Sequence, residues 1–197
     1  TMTPGASPPA AEGSTSAGRL GLSRLLDRAC FLRKNIEPAG EYDPAVHGLL
    51  VDAVSPAGYE ELDRYWIADG LSLAVIAKNT ETNQAEYLLF EPVLSEFEYE
   101  LLERLFDDLR DVLILDDHEL DADRRVILSR KAHDLLTEYG LTLDRRSIFK
   151  IRYYLRRNFL GWSRIDALMK DPRIEDISCD GTRIPLFLYH RQHQNIK

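Results

Sequence analysis

The chain has 197 residues, of which 44% are apolar and 29% charged, as is typical of a globular protein with one large domain or two small ones. No run of 18 apolar residues is present, which excludes a membrane-spanning helix from the prediction, and the start lacks the pattern of a secretory signal peptide. The formal net charge of −8 argues against indiscriminate nucleic-acid binding by the whole surface but leaves room for a local basic patch.

The N-terminal part of the sequence divides into a tail and a helix. Residues 1–18 consist largely of Pro, Gly, Ser, Thr and Ala, and such a segment cannot offset the entropy lost on ordering, which predicts a flexible tail. The pattern becomes helical from Arg19, and Pro38 and Gly40 end this helix. Its apolar stripe comprises Leu22, Leu25, Leu26, Ala29 and Leu32.

A β-hairpin is predicted in the first half of the chain. Residues 71–78 are rich in β-forming side chains, residues 86–92 supply a second such run, and a polar, turn-prone stretch joins them. Pro92 ends the second strand. Upstream, the pattern predicts a short helix within 44–54 and a short helical or irregular segment over 59–66.

The clearest helices follow the hairpin. Ser95 and Glu98 form a capping box at the start of the first of them, which carries an apolar stripe as far as Leu113. Gly140 supplies a left-handed cap at the end of the second. Further helices are predicted over 123–139, over 144–161 and from Ser163 to the residue before Pro172.

Two short strands are predicted near the C-terminus. They cover 174–179 and 185–190, and Asp180-Gly181 forms the turn between them. Strand alternation places Phe187 and Tyr189 on one face and Leu186, Leu188 and His190 on the other.

These elements predict an α+β fold with two parts after the tail. The first part, 19–162, is mainly helical and contains the hairpin at 71–92, and the second part occupies 163–197. Cys30 and Cys179 are two isolated thiols, which make neither a disulfide framework nor a zinc site, and both are predicted to be reduced and buried in a cytosolic protein.

Sequence motifs for catalysis are absent. No glycine is followed by the Lys and Ser/Thr of a P-loop, and neither GxGxxG, HExxH nor GxSxG occurs. The chain alone is therefore not expected to turn over a substrate or to hold a cofactor or metal ion. The acidic run 116–123 lacks the glycine and the final carboxylate of an EF-hand loop, which favours a solvated capping loop over metal binding or a partner contact.

Charge is segregated between two stretches of the chain. Residues 91–123 hold thirteen acids and two arginines, whereas residues 145–164 hold seven basic residues and no acid, with aromatic residues interleaved. Three interpretations stay open: a solvated face that complements the acidic helix of the same fold, an interface to another domain or subunit, and a nucleic-acid patch, which the net charge disfavours. The interface candidates are Arg145, Arg146, Lys150, Arg152, Arg156 and Arg157.

One C-terminal stretch resembles a known family. It reads Phe159-Leu-Gly-Trp-Ser-Arg-Ile-Asp-Ala-Leu-Met-Lys-Asp-Pro-Arg-Ile-Glu-Asp-Ile-Ser-Cys-Asp-Gly181, followed by Ile184-Pro-Leu-Phe-Leu-Tyr-His-Arg191. The stretch is similar to the N-terminal region of archaeal type II/type IV secretion ATPases, the group that includes pilus and archaellum motor ATPases. Less specific similarity upstream, around 87–95, extends the resemblance to about 59–197.

The resemblance implies a fold for the parent protein. That protein would have a mostly helical first piece with a small sheet, a PAS-like α+β domain and a C-terminal RecA-like motor domain. This chain would hold the first two strands of the PAS-like domain, within 163–197, and none of the motor domain. ATP and Mg²⁺ therefore belong to the parent by resemblance and not to this chain.

The resemblance also implies a function. The parent would be a hexameric traffic ATPase, peripheral to the cytoplasmic face of the membrane, and this N-terminal region would contact the motor domain, neighbouring subunits and a membrane platform protein. The alternatives are a freestanding protein-interaction module and, less favoured, a nucleic-acid binder that uses the basic helix 145–164.

Two arginines are nucleotide-contacting candidates by resemblance. Related ATPases use N-terminal-domain arginines, on the strand after such a hairpin turn, to reach a nucleotide held by the motor domain. The matching strand here is 185–190, with Arg191 at its end and Arg183, in the preceding turn, as the weaker candidate. A guanidinium stays charged and forks onto phosphate oxygens, so the chemistry is suitable. The alternative is that Arg191 is an ordinary exposed residue.

Overall fold

The computed structural model describes residues 40–115 and 124–197. It contains helices and two small antiparallel sheets, so the predicted α+β class is confirmed. The predicted tail 1–18, most of the predicted first helix with Cys30, and the acidic run 116–123 lie outside the described residues. The helices are α1 (Pro44–His47), α2 (Glu96–Leu115), α3 (Arg124–Glu138), α4 (Arg145–Phe159) and α5 (Asp166–Lys170), the last preceded by a 3-10 turn at Ser163–Ile165.

The strands form two sheets of three strands each. The first sheet has the order β1-β2-β3 and the second the order β4-β5-β6, and all pairings are antiparallel. The strands are β1 (Tyr59–Ala68), β2 (Ser72–Asn79), β3 (Ala85–Phe90), β4 (Ile174–Ser178), β5 (Phe187–His190) and β6 (Gln194–Ile196).

The first sheet contains the predicted hairpin, β2–β3, and one strand that was not predicted. The prediction of a helical or irregular segment over 59–66 is wrong, because β1 pairs with β2 along its length. The pairing register shifts near Asp63 and again near Ala68. Each shift breaks the two-residue alternation of side chains, and this explains why the strand was not visible as a period-two pattern.

Strand β2 forms the centre of the first sheet and is buried on both faces. Leu73, Val75 and Ala77 pack in one apolar cluster with Val51. Ile76 points to the opposite face, into a cluster shared with the second sheet. The continuous apolar run of β2 follows from this position, since a strand covered on both sides has no polar face.

Helix α1 is shorter than the helix predicted within 44–54. The side chain of Asp43 caps its start, and Gly48, with φ of 75°, ends it after one turn. The backbone N–H of Leu50 then donates to the carbonyl oxygen of Gly70 at 2.9 Å. This bond fixes the next segment against the turn between β1 and β2, and Leu50 and Val51 are buried there.

Helices α2, α3 and α4 pack around one apolar core. Both hydrogen bonds of the predicted capping box are present at the start of α2, with Ser95 N–H donating to Glu98 at 2.7 Å and Glu98 N–H donating to Ser95 Oγ at 3.2 Å. Gly140 has a φ of 65°, as the predicted left-handed cap requires. The buried residues of this core are Leu101, Leu102, Leu105, Leu109, Leu128, Ala132, Leu136, Leu141, Ile151 and Leu155.

The second sheet has one strand more than was predicted, the short β6. Burial alternates along β5 as predicted, since Leu188 and His190 are buried while Phe187 and Tyr189 are exposed. The predicted turn at Asp180-Gly181 is misplaced, because both strands are shorter than predicted and the turn within the connection 179–186 lies at 182–183. Cys179 lies at the start of this connection and is exposed, so its predicted burial is also wrong.

The two sheets meet at an edge and through a shared apolar cluster. The N–H of Tyr87, in β3, donates to the carbonyl oxygen of Lys197, directly after β6. In the shared cluster, Ile76 of the first sheet packs with Leu168 and with Leu188 and Ile196 of the second sheet. The C-terminal segment from 163 therefore packs on the first sheet.

A buried carboxylate joins the two sheets beside this cluster. Asp171 is 4% exposed, and one of its oxygens accepts hydrogen bonds from the hydroxyls of Tyr65 at 2.6 Å and Tyr87 at 2.7 Å. Its second oxygen accepts the backbone N–H of Arg173 at 2.8 Å. Burial, and then the bond to Asp171, raises the pKa of both tyrosines, so the hydroxyls remain protonated donors.

His190 occupies the other side of Tyr65 and is completely buried. Its Nδ1 accepts the backbone N–H groups of Gln192 at 3.2 Å and His193 at 3.3 Å, and its Nε2 lies 3.1 Å from the Tyr65 hydroxyl oxygen. The two backbone donors leave no room for a proton on Nδ1, so the bonds require the neutral tautomer with hydrogen on Nε2. Burial lowers the pKa of His190, and the neighbouring His193 lowers it further.

Replacing Asp171 by alanine should destabilise the protein strongly. The change leaves two half-buried tyrosine hydroxyls without their acceptor, at about 1–3 kcal/mol each, and we expect a loss of about 3 kcal/mol in the free energy of unfolding. Urea unfolding followed by circular dichroism measures this loss. Asp176→Ala is the matched control, since Asp176 is exposed on the neighbouring strand, and it should change the free energy by less than about 0.5 kcal/mol. Equal effects of the two substitutions would contradict the assignment.

The buried neutral His190 should also make stability depend on pH. Its pKa is lowered in the folded state, so below about pH 6.5 the unfolded chain takes up a proton that the folded chain does not. Stability is then complete above about pH 6.5 and decreases as the pH falls toward the lowered value. Urea midpoints measured at about pH 7.5 and about pH 5.5 should differ, and His190→Gln should reduce that difference. An unchanged difference in this variant would argue against His190 as the source.

Candidate interaction surface

Helix α4 carries six of the seven basic residues of 145–164 and presents them on different faces. Its N-cap is Asp144, whose carboxylate accepts the N–H of Ser147 at 2.7 Å. Spacings of three and four residues place side chains on a common helix face. We call the set Lys150, Tyr153, Tyr154 and Arg157 the inner stripe, and the set Arg145, Arg152 and Arg156 the outer stripe.

The inner stripe binds the segment that connects the first sheet to the helices. Arg157 Nη1 donates to one oxygen of Glu91 at 2.6 Å, and the Tyr153 hydroxyl donates to the other at 2.5 Å. The Tyr154 hydroxyl donates to the carbonyl oxygen of Pro92 at 2.6 Å. The side chains of Arg157 and Glu91 are only 12% and 17% exposed, so this ion pair is largely shielded from water.

Lys150 extends the same contacts to the start of α2. Its ammonium donates to the carbonyl oxygen of Val93 at 2.7 Å and to Glu98 at 3.1 Å. Burial raises the pKa of Glu98, but hydrogen bonds from Ser147 and from the Ser95 N–H, together with the Lys150 ammonium, outweigh burial and lower it. Glu98 thus serves the capping box and an ion pair at the same time.

The aromatic residues of α4 are engaged within the fold. Burial, followed by the bond to Glu91, raises the pKa of Tyr153, and burial raises the pKa of Tyr154 to about 12. The guanidinium of Arg157 lies 4.6 Å from the centre of the Tyr154 ring. Trp162 differs from them because it is 63% exposed. Since Tyr153 and Tyr154 are held by internal bonds, they do not form a free stacking platform for bases.

The outer stripe and Arg146 lie on the other side of the helix. Arg145 is exposed, and Arg146 is 3.9 Å from the exposed carboxylate of Asp52, a distance and exposure at which an ion pair contributes little. Arg152 donates to the carbonyl oxygen of Gly40 at 2.9 Å. The Nε of Arg156 is buried and has no hydrogen-bond partner among the described residues.

A groove runs between α3 and α4 beside the outer stripe. Its volume is about 500 Å³. Apolar side chains from both helices form its floor, and arginines from both helices stand at its rim. Glu41, near the start of the described chain, also lines it. The floor residues are Ala132, Leu136, Ile148, Ile151 and Leu155, and the rim residues are Arg125, Arg130, Arg152 and Arg156.

The two nucleotide-contacting candidates are both exposed but lie apart. Arg191 follows β5, and its side chain is 3.2 Å from Glu175 in an exposed ion pair. Arg183 lies in the connection between β4 and β5, with a φ of 69°. Because β4 and β5 are antiparallel, the two arginines lie at opposite ends of this pair of strands and do not form one site.

Within 40–115 and 124–197, no three His, Cys, Asp or Glu side chains come together as metal ligands would. In the same ranges, none of the helices combines the length and the apolar character needed to cross a bilayer. The acidic run 116–123, for which metal binding was the less favoured alternative, lies outside these ranges.

Comparison with known proteins finds two similarities. Residues 21–93 match the family described as PilB3-like, N-terminal. The chain is also 30% identical over 144 residues to uncharacterized protein MJ1288 of Methanocaldococcus jannaschii, a match that covers 71% of this chain and 57% of the relative. The family match starts earlier than the predicted resemblance over 59–197 and ends before the stretch 159–191 that carried it most clearly.

The sequence identified the basic residues but not their separate tasks. Glu91, the acceptor for two inner-stripe residues, was noted only as one acid among the thirteen of 91–123. A signal was available in the spacing of positions 150, 153, 154 and 157. These positions lie on one helix face, and they combine two basic side chains with two tyrosine hydroxyls. That spacing alone does not say which segment the face covers.

Reversing the charge of Arg157 should cost far more stability than reversing that of Arg145. Arg157→Glu places a second carboxylate against the shielded Glu91, and breaking a buried ion pair costs about 3–5 kcal/mol. Arg145→Glu changes an exposed residue and should alter the free energy of unfolding by less than about 0.5 kcal/mol. Urea unfolding of both variants tests the division of the helix into two stripes, which similar losses for the two would refute.

Proposed function

We propose that this chain is the N-terminal coupling region of a pilus- or secretion-type traffic ATPase. The observation that carries the proposal is the match of residues 21–93 to the PilB3-like N-terminal family. The similarity of 159–191 to archaeal secretion ATPases supports it independently, because the two stretches do not overlap.

The geometry supports a coupling role. The inner stripe fixes α4 to the connection between sheet and helices, so the opposite side of the same helix is a rigid surface. The outer stripe and the apolar groove lie on that side. Apolar surface with an arginine rim is suited to a protein partner, since arginine and buried apolar anchors contribute most to binding energy.

The rest of the proposed assembly follows from the resemblance. The parent would be a hexamer whose RecA-like motor domain binds ATP and Mg²⁺, and this region would link the motor ring to a membrane platform protein at the cytoplasmic face. Arg191, exposed and paired with the exposed carboxylate of Glu175, is available for a nucleotide held by such a motor. The chain itself would neither bind ATP tightly nor hydrolyse it, because no P-loop is present in its sequence.

A freestanding interaction module is the second candidate, and the length of the relative favours it. This chain spans about 57% of the uncharacterized relative, which leaves roughly a hundred residues of that protein outside the match. One βαβ unit takes about 30 residues or more, so a hundred residues hold about three such units, which leaves little room for a RecA-like motor domain. If this chain's gene has the same organisation, the basic face would recruit a separate protein.

A binding experiment with a motor domain tests the first proposal. The probe is the RecA-like domain of a pilus-type ATPase from the same genome, titrated with the 197-residue chain in a calorimeter while ATP hydrolysis is followed separately. We expect saturable binding and a changed hydrolysis rate for the motor, and no hydrolysis by the chain alone. Arg145→Glu should weaken binding about tenfold, because it reverses a charge on the exposed face.

Arg110→Glu is the matched control for this experiment. It reverses an exposed arginine on α2, away from the outer stripe, and binding should be unchanged. Absence of binding, together with a gene that encodes no GxxxxGK[ST] motif downstream, would exclude the coupling role and leave the freestanding module. Tight binding to DNA that weakens steeply with salt would instead establish the nucleic-acid alternative.

A further inference from the structure

The first described residues lie beside the groove between α3 and α4. Gly40 is the first described residue, and its carbonyl oxygen accepts a hydrogen bond from Arg152 at the groove rim. The next residue, Glu41, lines the groove itself. The segment that precedes Gly40 in sequence therefore starts at this groove, whatever course it then takes.

That preceding segment has the sequence of an amphipathic helix. Leu22, Leu25, Leu26, Ala29 and Leu32 recur at helical spacing, and an apolar stripe of this kind requires an apolar surface to cover it. Ser23, Arg24 and Asp27 fall on the opposite side of the same helical pattern, whereas Arg28 lies at the edge of the apolar stripe. The charge of Arg24 would therefore point away from the arginine rim of the groove.

The lengths of the stripe and of the groove agree. Residues 22–32 would span about 15 Å as a helix, and the groove-lining part of α3, from Arg125 to Leu136, is one residue longer. Seven residues lie between Leu32 and Gly40, and the eight Cα–Cα steps reach about 26 Å when extended. The linker can thus bring the stripe to either end of the groove.

The family match treats this segment and the first sheet as one unit. It runs from residue 21 to residue 93 without a break, so the stripe lies inside the matched region together with β1, β2 and β3. A stripe that belonged to a separate linker or tail would not be expected within that region.

We propose that residues 22–32 dock in the groove between α3 and α4 of the same chain. The five apolar side chains of the segment cover the apolar floor of the groove, which both helices form. With the segment docked, the arginines of the outer stripe at the groove rim are the part of this face that is left for a partner. The proposal rests on the groove and the chain path, and it holds whether or not the chain acts in an ATPase.

Cysteine crosslinking of the full chain tests the docking. In a Cys30→Ser, Cys179→Ser background, Ala29→Cys is combined with Val126→Cys or with Ser129→Cys, both at the groove, or with Asp176→Cys on the exposed surface of β4 as control. A short bismaleimide should link at least one groove pair within a single chain about tenfold faster than the control pair. Equal rates for all three pairs would overturn the proposal. Links formed mainly between chains would overturn it in favour of a second copy as the occupant.

Hydrogen exchange provides an independent readout. Leu25→Asp combined with Leu26→Asp should speed amide exchange in residues 22–32 about tenfold. The matched control, Ser23→Asp combined with Arg24→Asp on the opposite side, should leave it near the wild-type rate. Exchange in β2 reports in each variant that the sheet remains folded. Equal acceleration in both variants, or slow exchange retained in the leucine variant, would contradict the docking.

Discussion

The Arg157–Glu91 ion pair, with the Tyr153 hydroxyl on the same carboxylate, is the contact on which the arrangement of this protein depends. Glu91 directly follows β3, and Arg157 lies in the last turn of α4, so one carboxylate connects the first sheet to the helices. Water is largely excluded from the pair, and the remaining carboxylate oxygen is occupied, which satisfies the requirement that buried charges be paired and hydrogen-bonded. The orientation of α4 follows from this contact, and with it the direction in which the outer stripe points.

A second polar contact, at Asp171, connects the first sheet to the C-terminal segment. Two tyrosines from β1 and β3 converge on one oxygen of a carboxylate that belongs to the C-terminal segment, and His190 completes the set from β5. Both contacts pair a carboxylate with tyrosine hydroxyls. Because such bonds depend on direction as well as distance, they fix the relative placement of elements more closely than apolar packing does.

The basic stretch 145–164 illustrates the limits of charge as a guide to function. Its composition permitted an internal complement, an interface or a nucleic-acid patch, and the structure shows internal acidic partners for part of the set. Lys150 and Arg157 have acidic partners from 91–123, as one interpretation anticipated, whereas Arg145 remains exposed on the outside. Tyr153 and Tyr154 bond to the connection after β3, so neither is a free stacking platform for the nucleic-acid interpretation, whereas Trp162 stays exposed.

The sequence by itself determined the features that depend on neighbours along the chain. The caps at Ser95 and Gly140, the long helices, the hairpin and the alternation in β5 are local, and each was predicted because propensity and spacing act within a few residues. Tertiary structure alone decided that 59–68 is a strand, that Cys179 is exposed and that one face of α4 is internal. These features depend on segments that lie far apart in sequence, such as β2 beside β1 and Glu91 beside Arg157. Which of these segments pair depends on the packing of the whole fold, and a local sequence pattern contains no information about that packing.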